Sequence, residues 1–355
     1  MIRTSHYLFA ALCLGSLFAC SRQFTDSYIV PKWCFAVFML FIVLAYEAVN
    51  ILFYRQNEQK DTRISVYGFI IVISCFLQAM FGVVQFFGFF QISTTLWVTG
   101  SFDNPAGFAA CLCAGFPFVG FLLSDSNKYI RYVGGLIGFV IVIAVILSQS
   151  RAGIMSIAFI CFILLNMKFF HKRWVKYLSL LCFALLLSGC YWMKKDSADG
   201  RLLIWRCSVS MVKDAPWLGH GIGSFEARYM DYQADYFRQY GLNRYSMLAD
   251  NVKHPFNEYL GVLLNFGFVG LLMILALITL LIYCYKKHPC AEKRIAFYSL
   301  ISIGVFSFFS YTFTYPFTWI VTFLCIIILT KEYIAKVFTC PIIKNTVCIL
   351  SLIHI

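Results

Sequence analysis

The stretch HPFNEYLGVLLNFGFVGLLMILALITLLIYCYKK, His254 to Lys287, decides the class of this protein. Between Tyr259 and Tyr285 it holds no Asp, Glu, Lys or Arg, and it exceeds the roughly 20 apolar residues a helix needs to cross a bilayer. In lipid such a run must be helical, because every backbone N–H and C=O has to be satisfied within the segment. Lys286 and Lys287 close it, while His254, Pro255 and the Asn257-Glu258 pair open it. Polar groups at that boundary are costly and therefore mark a place where the chain has work to do.

Comparable runs recur outward from this one. Hydrophobic residues make up 61% of the 355-residue chain and charged residues 13%, against about half and about a quarter in soluble domains. The apolar runs are Tyr7 to Ala19, Trp33 to Leu52, Ile64 to Phe90, Gly107 to Leu123, Tyr132 to Leu147, Ile154 to Phe170, Val175 to Tyr191, Tyr259 to Tyr285, Ala296 to Tyr311 and Thr318 to Ile334. The reading is an all-α polytopic membrane protein with about ten transmembrane helices. Pro341 to Ile355 is apolar but short and stays unassigned.

The net charge of +13 matters less than where its lysines and arginines fall, since they gather on the cytoplasmic side. Arg55, Lys60 and Arg63 follow the second span, Lys128 and Arg131 the fourth, and Lys168, Lys172, Arg173 and Lys176 the sixth. Lys286, Lys287, Lys293 and Arg294 follow the eighth, and Lys331 and Lys336 the tenth. The connections 91–105 and 312–317 contain neither residue type. They face outward, as does the long loop 192–255. Leu17-Phe18-Ala19-Cys20 can also be read as a lipoprotein cleavage site that would remove the first span and lipidate Cys20; the downstream topology is the same either way.

Fifteen cysteines fall mostly inside apolar spans, where Cys acts as a small hydrophobe. The spacing offers no CxxC pair, and the chain has no HExxH, phosphate-binding glycine loop or nucleic-acid module. Metal, cofactor and nucleic acid are therefore not expected.

Four polar clusters interrupt the apolar pattern, all on the outer side. Gly100 to Gly107 carries Asp103, Asn104 and Pro105, which suit a helix start. Ser148 to Gly153 connects two spans so tightly that Arg151, beside Ser150, must sit at the membrane surface. An outward arginine without a neighbouring acid calls for an anion. In the long loop, Arg201 to Val212 reads as an amphipathic helix with Leu202, Trp205, Val209 and Val212 on one face. Pro216 stops it, Gly219, Gly221 and Gly223 turn the chain, and Ser224 to Tyr240 reads as a second amphipathic helix. In the fourth cluster His254 lies four residues before Glu258, so on one continuous helix the two would share a face. A partly desolvated carboxylate beside a histidine suits a general base; an acid in a helix first turn is the plain structural alternative.

The order of these clusters resembles the O-antigen ligase and polymerase superfamily, which includes the polysaccharide polymerases and protein O-glycosyltransferases. The resemblance rests on Asn104-Pro105, on Ser150-Arg151-Ala152-Gly153, on Arg201 with Trp205, on Pro216-Trp217-Leu218-Gly219-His220-Gly221, and on Asn257 with Gly267 and Gly270. It covers about residues 95 to 330. One position departs: the family usually has His just before the Asn, where this chain has Phe256. His254 or Glu258 is then left as the candidate base.

The resemblance implies a GT-C-like membrane glycosyltransferase, metal-independent and inverting, at the periplasmic face of the bacterial inner membrane. N-terminal helices would occupy 1–94, the catalytic membrane region 95–337 with its periplasmic loop 192–255, and a short tail 338–355. The donor would be a glycan on undecaprenyl diphosphate, bound by Arg151, Arg201 and Arg206, with Asn104, Ser150, Trp205 and Asn257 in support. The acceptor would be lipid A core, which makes the protein an O-antigen ligase; a polysaccharide polymerase or protein O-glycosyltransferase shares the pattern. A lipid-linked sugar transporter or flippase is the reading from a different class. The absence of an inverted repeat and the collection of polar groups at one face speak against it.

Overall fold

The computed structural model describes residues 4–53, 62–89, 98–169, 173–193 and 195–339. Arg55, Lys60 and Lys172 of the charge pattern, part of the 91–105 connection and the tail 341–355 lie outside the described residues. The helices are α1 (Thr4–Phe18), α2 (Ile29–Phe53), α3 (Thr62–Phe86), α4 (Pro105–Gly115), α5 (Val119–Leu123), α6 (Lys128–Leu147), α7 (Arg151–Phe169), α8 (Arg173–Met193), α9 (Lys195–Asp214), α10 (Ser224–Tyr240), α11 (Glu258–Lys287), α12 (Ala291–Phe309) and α13 (Pro316–Thr339). Each apolar run of the sequence falls on a helix, and no strand occurs among the described residues.

Six of these helical segments are long and apolar enough to cross a membrane, and Thr4–Phe18 and Arg151–Met167 are apolar but shorter. The expected ten is thus not met by length and composition alone. α12 shows why one run falls short. Its buried positions include Ser299, Ser302, Ser307 and Lys293, which packing on α4, α7, α11 and α13 removes from lipid. At its centre α4 is buried along its length from Gly107 to Gly115, with Ala109, Ala110, Cys111, Cys113 and Ala114 letting neighbouring backbones come close. Serine hydroxyls join these helices. Ser302 Oγ donates to Cys113 O at 2.7 Å, Ser299 Oγ to Ala114 O at 2.7 Å, and the Ser156 and Ser302 hydroxyls lie 2.8 Å apart. Pro117, which lacks an N–H, turns the chain through a 3-10 turn between α4 and α5.

The lysine-rich helix ends gather away from the polar clusters. There the buried Lys293 ammonium meets Glu332 at 2.6 Å, and Lys331 meets Glu292 at 2.9 Å, bracing α12 against α13. The charge pattern alone gave no sign that Lys293 is enclosed.

α9 and α10 pack into a small second core over the first turns of α11, built from Leu203, Cys207, Met211, Phe225, Tyr229 and Leu264. Both expected amphipathic helices are present, and α9 has a second apolar face beside the one read from the sequence. The stripe buried against α10 and α11 is Leu203, Ile204, Cys207 and Met211, while Leu202 and Val209 of the stripe read from the sequence are exposed, open to a membrane surface.

α11 is not one straight rod. Gly267 adopts φ 61° and ψ −158°, which breaks the helix into two segments. The freed backbone groups pair with the loop after α9: Phe268 N–H donates to Pro216 O at 2.8 Å and Val269 N–H to Trp217 O at 3.2 Å. In the other direction His220 N–H donates to Leu264 O at 2.7 Å and Gly221 N–H to Asn265 O at 3.0 Å. Unpaired backbone at that point would be costly, so two distant glycine motifs turn out to be each other's partners. A Cβ on Gly267 would lie 2.3 Å from Trp217 C, and one on Gly219 2.5 Å from Asn265 C. Gly221, at φ 90°, has open space around it. Gly267→Ala should therefore lower the thermal midpoint of the detergent-solubilised protein by more than Gly221→Ala, which carries only backbone strain of about 1–3 kcal/mol. Equal shifts in a fluorescence melt would refute the close approach as the reason for the glycine.

Candidate active site

The four clusters converge at the end of the bundle that lies under α9 and α10. Asn104 caps α4 by accepting Gly107 N–H at 2.9 Å, and its amide donates to the Asp103 carboxylate at 2.9 Å and to the Tyr315 hydroxyl at 3.0 Å. The glycine at 107 leaves room for the buried Tyr315 ring, which a Cβ would approach to 2.5 Å. From Tyr315 a chain of rings leads inward. Tyr311 lies 6.3 Å from Tyr315, stacks on His254 at 4.7 Å, and meets the edge of Phe256 at 5.3 Å.

Arg201 enters from α9. Its guanidinium donates to Phe309 O at 2.6 Å, at the end of α12, and lies 5.1 Å over the Phe256 ring. Arg151, first residue of α7, donates to Ser197 Oγ at 2.8 Å on α9. Ser150 caps α7 by accepting Gly153 N–H at 3.4 Å. Burial and then the Arg151 charge push Arg201 down to about 10. Two guanidinium groups that disfavour each other's charge are both relieved by an anion between them.

The segment 254–258 is shaped by an unusual backbone. Asn257 caps α11, its side chain accepting Leu260 N–H at 3.0 Å, so the helix begins only at Glu258. His254 and Glu258 therefore do not share a helix face, as a continuous helix would have it. Phe256 at φ 52° turns the chain instead, and both side chains line one cavity of about 170 Å³ with Tyr311 and Phe313. Among the described residues only Phe256 and Gln149 are non-glycines at positive φ, and both adjoin predicted site segments. Backbone strain of that kind concentrates at functional sites.

The two candidate bases are placed differently. Glu258 Oε1 accepts Phe313 N–H at 2.8 Å, which ties the carboxylate to the 312–314 turn. His254 is half-buried, and burial lowers its pKa from the ordinary 6.5, so the imidazole is neutral at pH 7 and free to take a proton. Trp205 holds this segment from above, its indole N–H donating to Pro255 O at 2.9 Å.

Arg206 is not brought to this centre. Five residues along α9 from Arg201, it is exposed, donates to the Tyr236 hydroxyl at 3.4 Å and lies 5.1 Å over Tyr245, in a separate cleft between α9 and α10. Tyr311 and Tyr315 were missed by the sequence reading. Their signal was the cation-free connection 312–317, which Tyr311 precedes and Tyr315 belongs to.

Beside the centre opens an apolar groove of about 620 Å³ between α7, α8, α11 and α12. Tyr259, Phe308 and Phe309 form its end nearest Arg201, and Leu281 and Phe297 its far end. Residues 297 to 309 on α12 span about 18 Å at the helical rise of 1.5 Å per residue. Trp205 touches this groove as well, 6.1 Å from Phe308.

No curated protein matches the chain. The family model described as O-Antigen ligase matches residues 136–275, the segment that carries Arg151, Arg201, His254 and the glycine-locked kink. Over that segment, under half of the chain, the protein is similar to the O-antigen ligase family, and the match supports the resemblance to the O-antigen ligase/polymerase superfamily.

Proposed function

We propose that the protein transfers a glycan from undecaprenyl diphosphate to an acceptor hydroxyl on lipid A core, at the periplasmic face of the inner membrane, as an O-antigen ligase. The observation that carries this is the meeting of two arginines, a half-buried histidine and the head of an apolar groove at one end of the bundle. The groove suits the polyprenyl chain, and Arg201 with Arg151 suits the diphosphate. His254 accepts the acceptor's hydroxyl proton as its oxygen attacks the anomeric carbon. The bond from that carbon to the phosphate oxygen breaks, and undecaprenyl diphosphate leaves with its charge met by the arginines, which serve in place of a metal. One displacement inverts the anomeric configuration. Glu258 holds the 312–314 turn, and Asn104 and Asn257 hold the helix starts around it.

The test is a reaction of the purified protein in nanodiscs with a lipid-linked glycan and, separately, lipid A core, a second lipid-linked glycan and an acceptor peptide. The expected product is glycosylated lipid A core. Product only on the second glycan would make the protein a polymerase, and product only on the peptide a protein O-glycosyltransferase. Translocation of the donor without transfer to any acceptor would overturn the transferase reading.

A further inference from the structure

The cleft between α9 and α10 has no part in the reaction just described. It measures about 670 Å³, close to the apolar groove's 620 Å³, but mixes charged and polar groups with apolar ones such as Leu202 and Val209. Trp205, Arg206 and Lys213 line it from α9, and Tyr236, Gln239 and Tyr240 from α10. Leu202, Trp205 and Val209 of the stripe read from the sequence face this cleft. Tyr236 and Tyr240 lie 4.9 Å apart, and Tyr240 is 61% exposed. Arg206 and Lys213 bring two positive charges to the cleft against one lining carboxylate, Asp235. Asp235 is held by Arg238 at 2.6 Å, and Asp214 accepts the Tyr232 hydroxyl at 2.6 Å. Arg206 has a phenol oxygen and a ring for partners, and Lys213 has no carboxylate partner among the described residues.

Exposed aromatic rings beside amide, phenol and cationic donors match a saccharide, whose faces are apolar and whose edges carry hydroxyls. Two lining cations, with the one lining carboxylate already paired to Arg238, add a preference for negative charge. Trp205 fixes where such a ligand would lead. It lines this cleft, bonds the residue after His254, and touches Phe308 of the apolar groove. Lipid groove, reacting centre and polar cleft therefore meet at one side chain.

We infer that the α9/α10 cleft binds an anionic oligosaccharide, one bearing uronate or phosphate groups, and delivers it to the His254 segment. The inference rests on the transferase reading for where the sugar comes from: the donor's glycan and the acceptor's glycan share this chemistry.

The full chain in nanodiscs of neutral lipid is titrated calorimetrically with an oligogalacturonate and, separately, with a malto-oligosaccharide. Wild type should bind the anionic chain more tightly. The double variant Arg206→Ala with Lys213→Ala should weaken that binding roughly tenfold or more, as loss of charge-assisted contacts does, and leave the neutral chain unaffected. Tyr240→Ala should weaken both. Tyr240 is exposed, so that variant keeps the fold, which circular dichroism verifies. Since no turnover is needed, an inactive transferase would not obscure the result. In transfer assays, a higher KM for the lipid-linked glycan in the double variant assigns the cleft to the donor, and a higher KM for the acceptor assigns it to the acceptor. Absence of saccharide binding, or binding equal in wild type and all variants, overturns the proposal. So does a loss confined to binding of anionic lipid vesicles, which would make the cleft a membrane-surface contact.

Discussion

Arg201→Ala should reduce glycan transfer by about 100- to 1000-fold, the effect of losing one preorganised donor to developing charge, about 2.7–4 kcal/mol. The loss should appear in kcat rather than in expression or membrane insertion, because among the described residues the guanidinium's only hydrogen bond is to the Phe309 carbonyl. Arg201→Lys should recover part of the activity, since an ammonium keeps the charge but lacks the planar fork that grips two phosphate oxygens. Arg151→Ala should act in the same direction. Double-mutant analysis should show the two effects to be non-additive, as both arginines serve one anion. Single-turnover rates with purified lipid-linked glycan measure this, and full activity in Arg201→Ala would remove Arg201 from the donor site.

His254→Ala should lower transfer by about 100- to 10,000-fold, the range for a positioned general base. In wild type, kcat/KM should stay level through neutral pH and fall on the acid side, with an apparent pKa below the ordinary 6.5, because burial disfavours the imidazolium. The sign follows from protonation: the base is active when neutral, and a depressed pKa keeps it neutral further into acid. Glu258→Gln should cost less, since its carboxylate is engaged with the Phe313 amide. Phe256→His offers the complementary experiment. Position 256 holds φ 52°, a left-handed conformation that His adopts more readily than a bulky aromatic. Its ring lies 5.1 Å from the Arg201 guanidinium and 5.3 Å from Tyr311. In the His254→Ala background, Phe256→His should restore part of the activity with a new acid limb. Wild-type turnover in a His254→Ala, Glu258→Gln double variant would exclude both as the base.

Much of this was legible in the residues because lipid imposes strong rules. Long uncharged runs gave the helices, and Asn104 and Asn257 were readable as helix starts because Asn before a helix accepts the orphan N–H groups. Arg151 and Arg201 stood out as outward cations, and the fold brings them together. What stayed hidden depends on contacts between distant segments. The apolar run of α11 conceals its kink, since Gly267 breaks the helix only because Pro216 and Trp217 supply acceptors. The second apolar stripe of α9 stayed hidden because Leu202 and Leu203 are equally apolar, and only the packing of α10 and Leu264 shows which of them is enclosed by protein. Lys32 gave no signal at all. Buried at the start of α2, it donates to Ala19 O at 3.0 Å and Ser101 O at 2.8 Å, fixing the approach to Asn104.

Glycine breaks in membrane helices are often joints, and this one is stiff. The backbone groups released on either side of Gly267 are bonded to residues 216–221 through four hydrogen bonds. Straightening or further bending would have to break them together, at about 0.5–1.5 kcal/mol net for each. The first part of α11, which begins at Glu258, is therefore held at a set angle like a splinted elbow. The height and tilt of His254 over the bundle are fixed before any substrate arrives, so whatever motion admits the donor or frees the product falls to elements other than this helix.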